Sequence, residues 1–197
     1  SPDGSEFVLG QDSGNIQFWD ITMMEMIASI SSPTGSTVKS ISWSVDGRMV
    51  ACGEDSGDIY IIDPGAHEII HTLSHDEAAA SSTNSLAWSP DGKILASGHQ
   101  NGEVFLWDTD NWELIKTIDW NGGGVSDITW LPNSSILTIS GETPGALLWE
   151  IDSGEYIPSI GLASFFSSSW SPDGKYLALS SGDKTSTQSH ENIHGGI

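Results

Sequence analysis

The sequence predicts an all-β chain built from a repeating unit of about 43 residues, and three ladders of markers predict it. The tetrapeptide Ser1-Pro2-Asp3-Gly4 returns as Ser44-Val45-Asp46-Gly47, as Ser89-Pro90-Asp91-Gly92 and as Ser171-Pro172-Asp173-Gly174. A degenerate copy, Leu131-Pro132-Asn133-Ser134, fills the gap, so that successive turns start 40 to 45 residues apart. The second ladder is Trp19-Asp20, Ile62-Asp63, Trp107-Asp108 and Trp149-Glu150; the third sets Trp43, Trp88, Trp130 and Trp170 directly before each turn.

The frame places three strands over 6–30, four-stranded units at 37–73, 83–118 and 124–160, and two strands over 164–181. The unit at 83–118 shows why. Thr83 to Trp88 alternates small and large residues, and Ser89-Pro90-Asp91-Gly92 then turns the chain. Proline presets φ at the second turn position and glycine supplies a positive φ at the fourth. Ile94 to Ser97 is a second strand, Gln100-Asn101-Gly102 a hairpin turn, Val104 to Trp107 a third strand and Trp112 to Ile118 a fourth. Met23-Met24-Glu25-Met26 is too short for a helix and stands where the other units carry a strand. In Ser40-Ile41-Ser42-Trp43 and Ser85-Leu86-Ala87-Trp88 the small residue admits a neighbouring sheet and the large one fills its gap, so both faces are expected to be buried. Trp19, Trp43, Trp88, Trp107, Trp130, Trp149 and Trp170 read as core.

Four antiparallel strands per unit, closed by Trp-Asp, is the plan of a β-propeller blade. The expected fold class is therefore an all-β β-propeller of four-stranded antiparallel blades, with four to five blades present and the ring incomplete. On Trp88-Ser89-Pro90-Asp91-Gly92-Lys93-Ile94-Leu95-Ala96, Phe105-Leu106-Trp107-Asp108 and Trp170-Ser171-Pro172-Asp173-Gly174, the chain resembles the WD-repeat β-propeller family from residue 1 to about 183. A seven-bladed ring would need about 300 residues, so the remaining blades of the same propeller are an expected partner. The polar stretch 184–197 is expected to stay disordered.

The resemblance also implies a buried polar chain in each blade, running from an Asp in the hairpin turn through a His before the first strand and a Ser or Thr on the second to the Trp. Here only Ser97 with Trp107 and Ser140 with Trp149 keep the inner pair. The Asp register holds Ser13, Ser56, Asn101 and Thr143, and His75 is the only His near the pre-strand position. The resemblance further implies one rim gathering Asp12, Glu54, Asp55, Asp76, Glu77, His99, Glu103, Trp120 and Glu142. Such an acidic rim with aromatic and imidazole anchors suits a protein partner with a basic segment.

Charge sets the exclusions. With 27 acidic and 6 basic residues the formal net charge is −21, which repels phosphate backbones and argues against nucleic acid. No run approaches the length of a membrane span. One cysteine, Cys52, excludes an intrachain disulfide and slightly favours a cytoplasmic over a secreted or periplasmic setting. His190-Glu191-Asn192-Ile193-His194 matches a zinc-hydrolase pattern, whose mechanism needs a helix and a third ligand. Gly195-Gly196 follow at once, so His190, Glu191 and His194 are read as a solvated tail and no metal is expected. His67 and His71 fall on an outer strand and read as surface groups. No phosphate loop or nucleophile elbow occurs, and no cofactor is expected. The function expected is a non-enzymatic interaction scaffold; the alternative is an accessory propeller of a larger enzyme or sensor.

Overall fold

The computed structural model describes residues 1–74, 81–120, 122–142, 145–160 and 164–181. Their strands form five antiparallel sheets, each in chain order without crossovers. The first holds β1 (Glu6–Gly10), β2 (Asn15–Asp20) and β3 (Glu25–Ser31). The second holds β4 (Val38–Trp43), β5 (Val50–Glu54), β6 (Ile59–Asp63) and β7 (Glu68–Leu73). The third holds β8 (Thr83–Trp88), β9 (Ile94–His99), β10 (Glu103–Asp108) and β11 (Leu114–Asp119). The fourth holds β12 (Val125–Trp130), β13 (Ile136–Gly141), β14 (Ala146–Glu150) and β15 (Tyr156–Ile160), and the fifth β16 (Phe165–Trp170) and β17 (Leu177–Ser181).

Two kinds of turn space the strands. In the first kind Ser44 Oγ donates to Asp46 Oδ1 at 2.7 Å, which also accepts the Arg48 amide at 3.1 Å, while the Met49 amide closes on Ser44 Oγ at 2.9 Å. The same three bonds recur around Ser89 and Ser171. A local side-chain bond thus replaces the ladder where the chain reverses. In the second kind the acid that ends β2, β6, β10 or β14 accepts amides ahead of it: Asp20 from Met23 at 2.7 Å, Asp63 from Gly65 at 2.8 Å, Asp108 from Asp110 at 2.8 Å and Glu150 from Ser153 at 2.8 Å. Four residues past each acid the backbone turns left-handed, at Met24, His67, Trp112 and Gly154. His67 and Trp112 therefore lie in turns, and their strands begin at Glu68 and Leu114.

Successive sheets stack face to face, and alternate residues of one strand enter opposite seams. Ile16 and Phe18 meet Val50, Cys52 and Ile62 in the first seam. Ile59 and Ile61 meet Leu95, Phe105 and Trp107 in the second, while Val104 and Leu106 meet Ile128, Leu137 and Ile139 in the third. Trp88, Trp107 and Trp130 are buried, whereas Trp19, Trp43, Trp149 and Trp170 are half-buried. Three tryptophans also tie the seams: Trp88 Nε1 donates to Ser42 O and Trp130 Nε1 to Ala87 O, both at 3.1 Å, and Trp170 Nε1 to Thr138 Oγ1 at 3.0 Å. Glycine permits the close approach. A methyl group on Gly53 would stand 2.4 Å from Thr83 Cγ2, and one on Gly98 2.5 Å from Val125 Cγ1. No helix among the described residues is long and apolar enough to cross a membrane.

Candidate interaction rim

The loop after each second strand shares an edge with the segment before the first strand. The Asp55 amide donates to Thr37 O at 2.9 Å, Gln100 to Ser82 O at 3.0 Å and Glu142 to Gly124 O at 3.2 Å. At the seam of the third and fourth blades this edge gathers Trp120, Glu142 and Glu103. Trp120 follows β11, and its Nε1 donates to Gly123 O at 2.7 Å. Its ring lies against Gly122 and Gly141, where an added methyl would come within 2.3 Å and 2.7 Å of ring atoms. Glu142 Oε1 accepts Gln100 Nε2 at 3.0 Å, and Glu103 Oε2 accepts Asn101 Nδ2 at 2.6 Å. At the first seam Asp12 and Asp55 are exposed; Asp12 O accepts Thr37 Oγ1 at 3.2 Å, and Asp55 pairs with Lys39 at 3.4 Å.

Two expected rim residues are not surface groups. Glu54 and His99, which close the second strands of their blades, are both 0% exposed. The inter-blade segment folds over each of them. Glu54 Oε2 accepts Thr34 Oγ1 and, at 3.4 Å, Ser56 Oγ, while Oε1 has no hydrogen-bond partner. His99 Nδ1 lies 3.0 Å from Ser81 O and its Nε2 2.9 Å from Ser97 Oγ. Both side chains anchor loops rather than face a partner. Burial pushes the Cys52 thiol up, with the Glu54 charge adding to it, so Cys52 stays protonated and unreactive. Asp76, Glu77, His190, Glu191 and His194 lie outside the described residues. Among the described residues no group of three or more His, Cys, Asp or Glu is placed to hold a metal ion.

The buried polar chain forms in one blade and not in the next. Trp107 Nε1 donates to Ser97 Oγ at 3.1 Å, and His99 extends the chain to Ser81 O. In the fourth blade Trp149 Nε1 has no hydrogen-bond partner, Ser140 donates to Asp127 O at 3.3 Å, and Lys116 rides over the Trp149 ring at 4.8 Å. The Ser140–Trp149 pair is therefore absent. Sequence reading also missed Asp127. Its Oδ1 accepts Ser85 Oγ at 3.0 Å and its Oδ2 the Ser168 amide at 2.6 Å, linking the first strands of three blades. The available signal was a carboxylate where the other inner strands carry serine.

The family model described as the anaphase-promoting complex subunit 4 WD40 domain matches residues 26–83 and 74–133, together more than half of the chain. The chain belongs to the WD40 family. Among solved structures, a chain of the "Crystal Structure of Mitotic Checkpoint Complex" superposes with a TM-score of 0.81 at 22% identity. The match covers 91% of this chain and 59% of that one, so the WD40 segment here spans well under two thirds of its structural neighbour. Among curated proteins none matches at the level of sequence. At this identity the likeness carries the fold: an all-β set of WD40 blades whose sheets form an open series. WD40 propellers serve in general as non-catalytic scaffolds for protein interaction, an inference at the level of fold.

Proposed function

We propose that this WD40 segment is a non-enzymatic interaction scaffold, and that its rim at the seam of the third and fourth blades receives a basic segment of a partner protein. The observation that carries the reading is the placement of Trp120 beside Glu142 and Glu103. An aromatic face with carboxylates next to it is the chemistry that recognises lysine and arginine. The fold likeness to a chain of a multi-protein checkpoint assembly supports a protein partner. The acidic excess of the chain speeds encounter with a cationic one.

Titration of the full chain with a flexible Arg-Gly-Ser repeat peptide tests this. The Trp120 indole resonance should shift saturably at low salt, and the shift should weaken as salt rises. Glu142→Lys should abolish it, because the reversal places a cation where the guanidinium would sit. An unperturbed Trp120, or unchanged binding by Glu142→Lys, would sink the rim reading.

A further inference from the structure

The blades also form clefts on the edge opposite the rim, where the Ser-Pro-Asp-Gly turns lie. We propose that the cleft between the third and fourth blades on that edge binds an extended peptide segment carrying an apolar side chain next to a lysine or arginine. The proposal stands apart from the rim reading, since β9 and β12 each run from one edge to the other and bring different ends to the two places.

Size distinguishes this cleft from the two between the earlier blades. It is a half-open groove of about 410 Å³, against about 250 Å³ between the first and second blades and about 210 Å³ between the second and third. The turns that border it are unlike. In the other turns the serine hydroxyl and the aspartate close on each other. The fourth blade carries Leu131-Pro132-Asn133-Ser134 instead, and the exposed Asn133, held at φ 58°, lines the cleft. The turn that lacks both the serine and the aspartate of the repeat borders this cleft.

Its chemistry selects the occupant. Ile94, Trp130 and Ile151 supply apolar lining, and a carboxylate comes from each blade, Asp91 from the third and Asp152 from the fourth. The Ser89 hydroxyl and the Lys93 amide hold Asp91 below the ordinary carboxylate range, so it stays charged. No Lys, Arg or His is among the residues lining the cleft; just outside it the Lys93 ammonium acts on Asp91 as well, and Lys116 lies over Trp149. Apolar lining between two anions fits an apolar group joined to a cation. At the small end of the range of ligand pockets, about 300–1,000 Å³, the space suits adjacent peptide side chains better than a cofactor.

The test uses the full chain and a capped peptide in which Leu-Arg is flanked by Gly and Ser, with a Leu-Glu counterpart as control. Amide proton–nitrogen spectra should show saturable shifts at Ser134, Ser135 and Asp152 with the first peptide and none with the second. Asp152→Lys, a surface change, should weaken binding by roughly fivefold or more. Repair of the turn by Leu131→Ser, Asn133→Asp and Ser134→Gly should remove it while keeping the fold. Equal binding of both peptides, unchanged affinity in Asp152→Lys or in the repaired turn, or no saturable shift at these amides would overturn the cleft. Shifts confined to Trp120 and Glu142 would overturn it too, while supporting the rim.

Discussion

Ser97 and Ser140 stand at the same place in neighbouring blades, both fully buried, yet only Ser97 holds its tryptophan. The difference decides what each hydroxyl contributes. Ser97→Ala would strand a buried indole N–H and take one contact from His99, at a cost of about 1–3 kcal/mol. Ser140→Ala gives up only a 3.3 Å bond to a carbonyl and should cost less than about 1 kcal/mol. Paired denaturant melts check the order, and equal losses would show that the Trp107 bond adds nothing. The rim acids teach a related lesson. In a linear reading Glu54 and His99 look like Asp12 and Glu142, because all stand at the end of β1, β5, β9 or β13 or just after it. Whether such a side chain faces solvent depends on how far the inter-blade segment folds back, and residue spacing does not encode that.

The elements themselves were legible wherever a marker closes them. Tryptophan ends the first strand and the acid ends the third, and each does a physical job there: the indole ties the seam, and the carboxylate accepts the amides of the next turn. Trp112 misled because an aromatic residue reads as strand, whereas the turn after Asp108 needs a left-handed residue at that position. The Ser-x-Asp turns carry a consequence for pH. In Asp46 the Arg48 amide and the Ser44 hydroxyl, and in Asp91 the Ser89 hydroxyl and the Lys93 amide, hold the folded carboxyl below its ordinary 3.8. Asp3 and Asp173 are lowered to about 2, chiefly by the Ser1 and Ser171 hydroxyls. A lowered folded pKa stabilises above the ordinary value, and that contribution is lost as pH falls through the folded one. Thermal melts should therefore show stability declining between about pH 4 and pH 2. The double variant Asp46→Asn with Asp91→Asn should be less stable at neutral pH and flatter across that window. An unchanged slope in the variant would mean that the turns do not set acid lability.

At the scale of the whole molecule, the seams are buried from both sides but the outer face of the first sheet is not. Leu9 is 44% exposed and Met26 49%, and Phe7 and Trp19 stack beside them with centroids 6.0 Å apart. Cys52, which precedes Gly53 as Leu9 precedes Gly10, is 0% exposed because the first sheet covers it. A face patterned for burial and left open is a site for association. The charge of −21 opposes contact between copies, and salt screens that repulsion while leaving the apolar gain intact. Residues 1–197 should therefore associate with rising concentration, and more strongly at high salt than at low. Leu9→Glu combined with Met26→Glu adds two like charges to the face and should hold the chain monomeric, with amide exchange in the second to fourth sheets unchanged. Sedimentation velocity over a range of protein and salt concentrations reads the effect. A single monomeric boundary throughout, or association undiminished in the double variant, would show that another surface governs it.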